Sequence, residues 1–416
     1  MIETEFLSKC NFCALPFMQN DIEVDGSARP CCKARPLVAP DGKELNIKNF
    51  TLDEIWNHPT YVEFRQSFLN NEKHPACEKC WVEPIRELQY RVEQSTRFHI
   101  GALDVTREFM KTGTVTNPTL KYLEIRPGNV CNFKCRICSY EYSSSWSKDS
   151  YLLEDVDIPY KDSNQFKQIA KCEWFDSDDI WNNVKGLEDI QFINFLGGEP
   201  LMASKHINLL EKLVNSLDPR KVKIGYNTNG SKRPTQHHID LLKKFKNVQF
   251  IVSTDDIGKR MEYQRKGAVW TEHESNIDFL IAQGFNVVID TAISIMNTYY
   301  CDEFFNFCDS KGWNSPPTQA HWVRSTGLDH RSLMPAEKHF VREKLKKGTH
   351  PKTKDVLADL DSADLFNATH YYGRWKKIKK LDGIRNEKFE DVFPELSDII
   401  MLTSPDIIMQ NPEAYK

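Results

Sequence analysis

Short apolar segments alternate with longer amphipathic segments through the middle of the chain. Six segments have the length and the β-branched or aromatic content of buried strands: 123–127, 191–196, 221–227, 248–253, 286–293 and 321–324. The stretches between them, such as SKHINLLEKLVNSL, have the apolar spacing of amphipathic helices. Repeated strand–helix units predict an α/β fold with a parallel sheet, and six units fit a partial, TIM-like (β/α)6 barrel.

The N-terminal segment has a different pattern. The stretch CALPFMQNDIEVDGSARPCC predicts a hairpin, because an Asp-Gly pair at 25–26 is a strong turn signal between two short strands. A helix is predicted from Thr51, with Thr51 as its N-cap and Glu54 completing a capping box.

Length and pattern together predict four regions, because 416 residues exceed one ordinary hydrophobic core. These are a small cysteine-bearing module at 1–84, a helical connector at 85–118, the barrel at 119–325 and a helical C-terminal extension at 326–416.

Charge gives no reason to expect a nucleic-acid or membrane partner, since the formal net charge is −4 and the pI about 6.3. The N-terminal MIETEFLSKC lacks the basic and apolar regions of a secretory signal, and no run of 18 apolar residues occurs. We therefore expect a cytoplasmic protein. The adjacent His237 and His238 are expected to be solvated on a surface helix.

The chain contains 12 cysteines, and most of them are clustered in the sequence. In a reducing compartment, clustered cysteines more often bind metal than form disulfides. The clusters fall at 10, 13, 31 and 32, at 77 and 80, and at 131, 135 and 138. The solitary Cys172, Cys301 and Cys308 are expected to be ordinary buried residues.

The triplet Cys131, Cys135 and Cys138 follows the first barrel strand directly, at the end where barrel folds gather reacting groups. Its Cys-x3-Cys-x2-Cys spacing lets three thiolates converge on one object. A structural zinc ion is one alternative, although zinc prefers four ligands. A [4Fe–4S] cluster with one iron left open to a ligand is the interpretation we favour.

Two motifs carry a family resemblance. CNFKCRIC after the strand LEIRP, and GGEP at 197–200 after INFL, resemble the radical S-adenosylmethionine (radical SAM) enzymes over residues 119–325. The resemblance implies that the open iron binds S-adenosylmethionine, which is cleaved reductively to a 5′-deoxyadenosyl radical. That radical abstracts a hydrogen atom from the substrate.

The resemblance also implies a set of cofactor contacts. The glycines of GGEP would approach the methionine end, Glu199 its ammonium group and Arg265 its carboxylate, while Ser253 and Asp255 would face the ribose. Ile137 stands where relatives usually carry an aromatic residue against the adenine. The complete implied set is Ile137, Gly197, Gly198, Glu199, Pro200, Thr228, Asn229, Ser253, Asp255 and Arg265.

A second site is implied at the N-terminus. Cys13-x12-Gly26-x4-Cys31 together with Cys77-x2-Cys80 resembles the SPASM/twitch modules that hold an auxiliary [4Fe–4S] cluster. The implied ligands are Cys13, Cys31, Cys77 and Cys80, with Cys10 and Cys32 as competitors. A zinc ribbon is the alternative, because zinc favours Cys-x2-Cys pairs.

By this resemblance the chain is expected to be an enzyme that oxidises, crosslinks or epimerises a peptide or protein side chain. A small metabolite is an alternative substrate, and a zinc-stabilised binding protein is the rival from another class. A flavodoxin- or ferredoxin-like protein is the expected electron donor. Tyr140, Tyr226 and Asp290 lie near predicted strand ends, but no catalytic acid or base is assigned.

Overall fold

The computed structural model describes residues 11–82, 104, 111–112, 118–153, 186–203, 205–315, 320–324 and 327–402. Most of the predicted connector at 85–118, and also Cys10 and Cys172, lie outside these residues. The chain divides into two compact units. The first comprises Met1–Asn129, Lys171–Asn227 and Pro234–Gln249, and the second comprises Val130–Ala170, Thr228–Arg233 and Phe250–Lys416.

The first unit is built around a set of short strands with buried residues. The strands are β1 (Gln19–Ile22), β2 (Ala28–Arg29), β3 (Tyr122–Ile125), β5 (Phe192–Phe195) and β6 (Lys223–Thr228). Its helices are α1 (Leu52–Trp56), α2 (Pro59–Leu69), α3 (Glu78–Val82), α5 (His206–Ser216) and α6 (Gln236–Leu242).

These strands lie side by side in the order β6, β5, β3, β1, β2. All neighbours are parallel except β1 and β2, which form the predicted antiparallel hairpin. Strand β1 of the cysteine-bearing segment pairs directly with β3, the first barrel strand, in the register Asp21↔Glu124. The N-terminal segment therefore extends the sheet.

The hairpin turn depends on Gly26. Its φ of +86° lies in the left-handed region, and a Cβ there would come within 2.7 Å of Asn46 Oδ1. Glycine is the residue that adopts this backbone without strain and leaves that space open.

The second unit contains the remaining strands and most of the helices. Its strands are β4 (Lys134–Cys135), β7 (Asn247–Ser253, entering from the first unit), β8 (Arg265–Lys266), β9 (Asn286–Ile293) and β10 (Ala320–Trp322). Its helices are α4 (Ser147–Leu152), α7 (Gly258–Gln264), α8 (Trp270–Ala282), α9 (Cys301–Ser310), α10 (Pro335–Leu345), α11 (Pro351–Asp361), α12 (Ala368–Arg385), α13 (Phe389–Val392) and α14 (Pro394–Leu402).

Strands β7, β9 and β10 lie side by side in that order, with β9 and β10 parallel. The two-residue strands β4 and β8 form a separate antiparallel pair. All six predicted strand segments contain a strand, and the α/β fold with an open, mostly parallel sheet and a helical C-terminal region is confirmed. The pair β4–β8 was not predicted. The domain boundaries at 84, 118 and 325 stay predictions.

One expectation about α6 is wrong in part. His237 is exposed and contacts Glu211, but His238 is only 2% exposed. The hydroxyl of Tyr226 lies 2.9 Å from Nε2 of His238 and 3.0 Å from Nε2 of His206. Burial lowers the pKa of His206 to about 4 and that of His238 to about 3, so both rings are neutral core residues.

No helix in the described ranges is both long and apolar enough to span a membrane.

Helix α1 begins with the predicted capping box. The hydroxyl of Thr51 accepts a hydrogen bond from the Glu54 amide at 3.2 Å, and the Glu54 carboxylate accepts one from the Thr51 amide at 2.7 Å. The box therefore satisfies donors that would otherwise lack a partner at the start of this helix.

We predict that Thr51→Ala destabilises α1 by about 1 kcal/mol, because the first-turn amide loses its acceptor. Amide hydrogen exchange in 52–56, followed by mass spectrometry, should then be about fivefold faster. Thr51→Ser, which keeps the hydroxyl, is the matched control. Equal exchange in Thr51→Ala and the wild type would contradict this account.

Candidate functional site

The three cysteines of the central motif lie on one loop of the second unit. Cys131 and Cys135 are buried and Cys138 is half-buried. Strand β4 places Cys135 directly opposite Arg265 of β8, in the register Cys135↔Arg265. Cys131, Phe133, Cys135 and Ala268 form one apolar group, against which Cys138 packs.

Hydrogen bonds from the segment after the motif fix the backbone of this loop. The hydroxyl of Ser145 donates to the Cys131 carbonyl at 2.7 Å, and the indole of Trp146 donates to the Cys135 carbonyl at 2.8 Å. The Cys138 amide donates to the same Cys135 carbonyl at 3.0 Å. The chain thus holds the loop in place through groups other than the thiols.

Two of the three sulfur atoms have N–H donors close by. The amide of Phe133 lies 3.4 Å from Sγ of Cys131, and Nδ2 of Asn229 lies 3.6 Å from the same atom. Nη1 of Arg265 lies 3.8 Å from Sγ of Cys135. Donors in this arrangement favour the thiolate, which is the form that binds iron.

Burial opposes ionisation of these thiols. It raises the pKa of Cys135 to about 11, although the guanidinium of Arg265 opposes the shift, and it raises the pKa of Cys138 to about 12. Without a bound cation the two side chains are therefore protonated thiols at neutral pH. Binding of a positively charged centre would release these protons.

The donor set fits an iron–sulfur cluster with three protein ligands. Two buried thiols with N–H donors and a third, half-buried thiol are the ligand type that such clusters take. Within the described ranges, no group of three or more His, Cys, Asp or Glu side chains could hold a single metal ion. A cluster distributes its thiolates over different irons and thus uses a different spacing from one ion.

The polar residues after β6 connect to the cysteine loop. The side chain of Asn229 donates to Oδ1 of Asn132 at 3.1 Å, in addition to its contact with Cys131. The hydroxyl of Thr228 accepts from the Gly230 amide at 3.1 Å and is buried. Asn229 therefore lies beside the cluster loop, whereas Thr228 stabilises its own turn.

Arg265 and Asp255 form a buried pair next to Cys135. The two carboxylate oxygens of Asp255 accept from Nε and Nη2 of Arg265 at 2.8 and 2.9 Å. Burial lowers the pKa of Arg265, but Asp255, and to a smaller degree Asp290, raise it above its ordinary value. Both oxygens of Asp255 are engaged by Arg265, which favours a role in holding the guanidinium. Ser253, the last residue of β7, is half-buried.

A further residue fixes the end of β7. The Asn297 amide donates to the carbonyls of Asp255 and Ala292 at 2.8 and 2.9 Å, and it is buried. Ile137 is half-buried against the apolar group of the cysteine loop.

In the first unit, GGEP forms a tight turn after β5. Gly197 has a φ of +108°, and a Cβ there would lie 3.0 Å from both Cβ of Arg126 and the carbonyl oxygen of Gly128. The Gly198 amide donates to that carbonyl at 3.1 Å. The close approach of the two backbones explains the glycine at 197.

Glu199 and Pro200 begin a 3-10 turn at this point. Oε1 of Glu199 accepts from the Leu201 amide at 3.1 Å, and the residue is 1% exposed. Pro200 is the first residue of the turn Pro200–Met202. Glu199 is therefore a buried carboxylate fixed at the start of a helical turn.

The N-terminal cysteines also approach one another in the first unit. Cys31 is buried, and Cys13 packs against its apolar group with Leu15 and Ala34. Burial raises the pKa of Cys31 well above its ordinary value, and the charges of Cys32, Cys13 and Cys77 raise it further. Cys13, Cys32 and Cys77 thus each lie near Cys31, and such a thiol set fits an iron–sulfur cluster.

Cys77 ends the 3-10 turn Pro75–Cys77, and Cys80 follows one turn later in α3. Both side chains are half-buried, while Cys32 is exposed. The four proposed ligands therefore come from the segment before β1, the end of the hairpin and the start of α3.

The sequence did not point to a pair between a residue of β9 and a residue of β10. Nδ1 of His321 lies 2.9 Å from Oδ1 of Asp290, and the His321 side chain is 57% exposed. Asp290 was named as a residue near a strand end, but its partner was not. Because the two residues lie on neighbouring parallel strands, alignment of the predicted strand ends was the available signal.

A buried row of acidic residues on β1 and β3 was also missed. Asp21 and Glu124 are paired in register, and Arg126 donates to Asp21 and lies 3.2 Å from Glu23. Burial, followed by the charge of Asp21, raises the pKa of Glu124 to about 7. The signal in the sequence was a carboxylate, Glu124, within the otherwise apolar strand YLEI, and a second one, Asp21, within the predicted hairpin strand.

Comparison with known families gives two matches. Residues 13–81 match the SPASM iron–sulfur cluster-binding domain, and residues 125–299 match the radical SAM superfamily. The curated proteins contain no match.

Similar solved structures share low identity with this chain. Native anSMEcpe with bound AdoMet and Cp18Cys peptide is 17% identical with a TM-score of 0.34, over 54% of this chain and 58% of that chain. Streptococcus suis SuiB bound to S-adenosylmethionine is 14% identical with a TM-score of 0.32, over 64% and 49%. SuiB bound to the precursor peptide SuiA is 14% identical with a TM-score of 0.34, over 72% and 65%. The chain thus spans less than two thirds of the length of each of these structures.

Each of the two family matches implies a cofactor. A radical SAM domain implies a [4Fe–4S] cluster and S-adenosylmethionine, and a SPASM domain implies an auxiliary iron–sulfur cluster. Residues 125–299 of this chain belong to the radical SAM superfamily, and residues 13–81 belong to the SPASM family of cluster-binding domains.

Proposed function

We propose that the chain is an enzyme that cleaves S-adenosylmethionine reductively and removes a hydrogen atom from a peptide or protein side chain. The observation that carries this proposal is the arrangement around the three central thiols. Cys131 and Cys135 are buried with N–H donors from Asn229 and Arg265 at their sulfur atoms, and no fourth cysteine lies in the loop.

Each residue of this site has a proposed task. Cys131, Cys135 and Cys138 hold the cluster and leave one iron open. When bound, the cluster and S-adenosylmethionine supply an electron and a hydrogen-abstracting adenosyl group. Arg265, held by the two hydrogen bonds that it donates to Asp255, presents a fixed cation next to Cys135, where a carboxylate would bind.

The remaining proposed contacts give the cofactor site its shape and its polar and apolar surfaces. Gly197 and Gly198 keep backbone close to backbone at the GGEP turn, and Glu199 offers a carboxylate to an ammonium group. Ile137 offers an apolar surface in place of an aromatic ring. Pro200, Thr228, Asn229 and Ser253 complete the proposed contact set. Glu199, Thr228 and Asn229 are buried, and low solvent exposure strengthens polar contacts at these three residues.

The N-terminal module is proposed to hold an auxiliary [4Fe–4S] cluster on Cys13, Cys31, Cys77 and Cys80. With four thiolates that cluster would have no open iron, and it would relay electrons. A flavodoxin- or ferredoxin-like protein is the proposed electron donor, and the cytoplasm is the proposed compartment, because clustered cysteines that bind metal are typical of a reducing compartment.

The peptide substrate is inferred from the SPASM match at 13–81, because the enzymes that this module resembles include peptide maturases and sulfatase-maturating enzymes. The reaction class is oxidation, crosslinking or epimerisation of a side chain.

We predict that Cys135→Ala abolishes release of 5′-deoxyadenosine when the anaerobic protein is given dithionite and S-adenosylmethionine. The chain would lose one of three ligands to the open cluster, so absorption near about 400 nm should also fall. Cys308→Ala, at a buried cysteine remote from both motifs, is the control and should keep the activity. Undiminished 5′-deoxyadenosine release by Cys135→Ala would remove the mechanism.

We predict that Cys77→Ala lowers the iron content from about eight to about four atoms per chain, because one of two four-iron clusters is lost. Some 5′-deoxyadenosine should still form, since the central cysteines are intact. Iron assay of anaerobically reconstituted protein makes the measurement. Cys32→Ala, at an exposed competitor, should keep about eight irons if Cys31 is the ligand.

We predict that a peptide, and not a free amino acid, sugar or nucleotide, is modified. The probes are synthetic peptides encoded by short reading frames beside the gene, and mass spectrometry makes the measurement. Oxidation or crosslinking should lower the peptide mass by about 2 Da. Epimerisation should instead introduce one deuterium from D2O. A metabolite mixture that is consumed while every peptide stays intact would favour the small-molecule alternative.

A further inference from the structure

Arg136, which lies between the second and third central cysteines, is held by the C-terminal extension. Its side chain is 1% exposed, and Nη2 lies 2.6 Å from Oδ1 of Asp382 and 2.9 Å from Oε2 of Glu387. Nε donates to the Tyr263 carbonyl at 3.1 Å, and the guanidinium lies 3.6 Å from the centre of the Tyr263 ring. A buried cation with two carboxylates and a ring contact has a fixed position.

Both carboxylates are fixed in turn. Oδ1 of Asp382 also accepts from the Tyr263 hydroxyl at 2.7 Å, and Oδ2 accepts from the Phe389 amide at 3.0 Å. Asn386 ends α12 in the left-handed region, with a φ of 52°, directly before Glu387. The segment Asp382–Phe389 thus folds back on itself around the guanidinium.

The same segment links the two short strands that carry Cys135 and Arg265. Oε1 of Glu387 lies 3.0 Å from Nζ of Lys266 in β8, while its other oxygen contacts Arg136 next to β4. Register pairs Cys135 with Arg265 across these strands. One C-terminal carboxylate therefore contacts both the residue that follows Cys135 and the residue that follows Arg265.

A second set of contacts joins α12 to the cysteine loop. Asp149 of α4 accepts from Nζ of Lys134 and from Nε of Arg385, both at 2.7 Å. Leu381 belongs to a second apolar group, formed with Tyr140, Trp146 and Leu153, against which Cys138 and Ile384 pack. The extension therefore contacts the loop directly at Arg136, shares an apolar group with Cys138 and is joined to Lys134 through Asp149.

The charges around Arg136 balance. Arg136 and Lys266 supply two positive charges, and Asp382 and Glu387 supply two negative ones. Loss of Arg136, Asp382 or Glu387 leaves an unbalanced charge in a poorly solvated place. Net charge and hydrogen bonding near an iron–sulfur cluster set its reduction potential.

We propose that Arg136, with Asp382 and Glu387, positions the cysteine loop and sets the reduction potential of the cluster bound there. The proposal rests on the proposed function, since it needs a cluster on Cys131, Cys135 and Cys138. It makes the C-terminal extension part of the cluster site, through residues that contact neither iron nor substrate.

Electrostatics gives the sign for each variant. Arg136→Gln removes a positive charge near the cluster, disfavours the added electron and lowers the potential. Glu387→Gln removes a negative charge and raises it. Arg136→Lys keeps the charge but loses the planar fork, so the potential should stay near the wild-type value while the loop loosens.

The experiment uses the full-length chain, reconstituted anaerobically. An EPR-monitored redox titration at about pH 8.5, above the usual pKa range of carboxyl groups, measures the potential of the central cluster. Iron loss to a chelator measures how well the loop holds it, and we expect about tenfold faster loss in Arg136→Lys and Arg136→Gln. Cys77→Ala as the background leaves one cluster to observe.

The matched control is Arg342→Gln, which breaks the exposed pair of Arg342 with Asp361 between α10 and α11. It should change neither quantity. Shifts of the same sign in Arg136→Gln and Glu387→Gln, or no shift in either, would overturn the proposal. Absence of an iron–sulfur chromophore in the wild type would instead overturn the proposed function, and this inference with it.

Discussion

The register of two very short strands determines the geometry of the site. Pairing of Lys134–Cys135 with Arg265–Lys266 places one buried thiol opposite one buried guanidinium, with 3.8 Å between Sγ of Cys135 and Nη1 of Arg265. A shift of one residue would send both side chains to the opposite face of the ladder. The buried pair of Arg265 with Asp255 would lose its position at the same time.

Charge compensation maintains this register. Thiols at low solvent exposure resist ionisation, and a buried guanidinium is unfavourable without a partner. Carboxylates from distant parts of the chain pair with the guanidinium groups, Asp255 just after β7 with Arg265 and Asp382 in α12 with Arg136. The guanidinium of Arg265 in turn opposes the rise in the pKa of the Cys135 thiol. The charged side chains around the cysteines therefore come from separate parts of the sequence, and no single continuous motif contains them.

Much of this molecule could be predicted because its signals are local. Each of the six barrel strands carries its own apolar run, and the capping box at Thr51 and Glu54 spans four residues. The spacing of Cys131, Cys135 and Cys138 likewise needs no knowledge of the rest of the chain. These features give the fold class and the chemistry of the ligands.

What could not be predicted depends on pairing over long distances or on helix faces. Strands of two residues have no periodicity to recognise, and Arg136 and Asp382 lie 246 positions apart. His238 was misplaced for a different reason, because adjacent helical residues point about 100° apart and share no face. The inward face of α6 is defined by three buried apolar residues, Ile239, Leu241 and Leu242. Their positions were the signal in the sequence that could have predicted burial of His238.

The N-terminal hairpin also determines which strand lies at one edge of the sheet. Because β1 takes up the hydrogen-bonding side of β3, the first barrel strand is not left as a terminal template for another chain. The outermost strand becomes β2, only Ala28–Arg29, with Pro30 directly after it. Two residues followed by a proline offer few amide groups to an incoming strand. The cysteine-bearing module therefore also disfavours edge-to-edge pairing of this sheet with another chain.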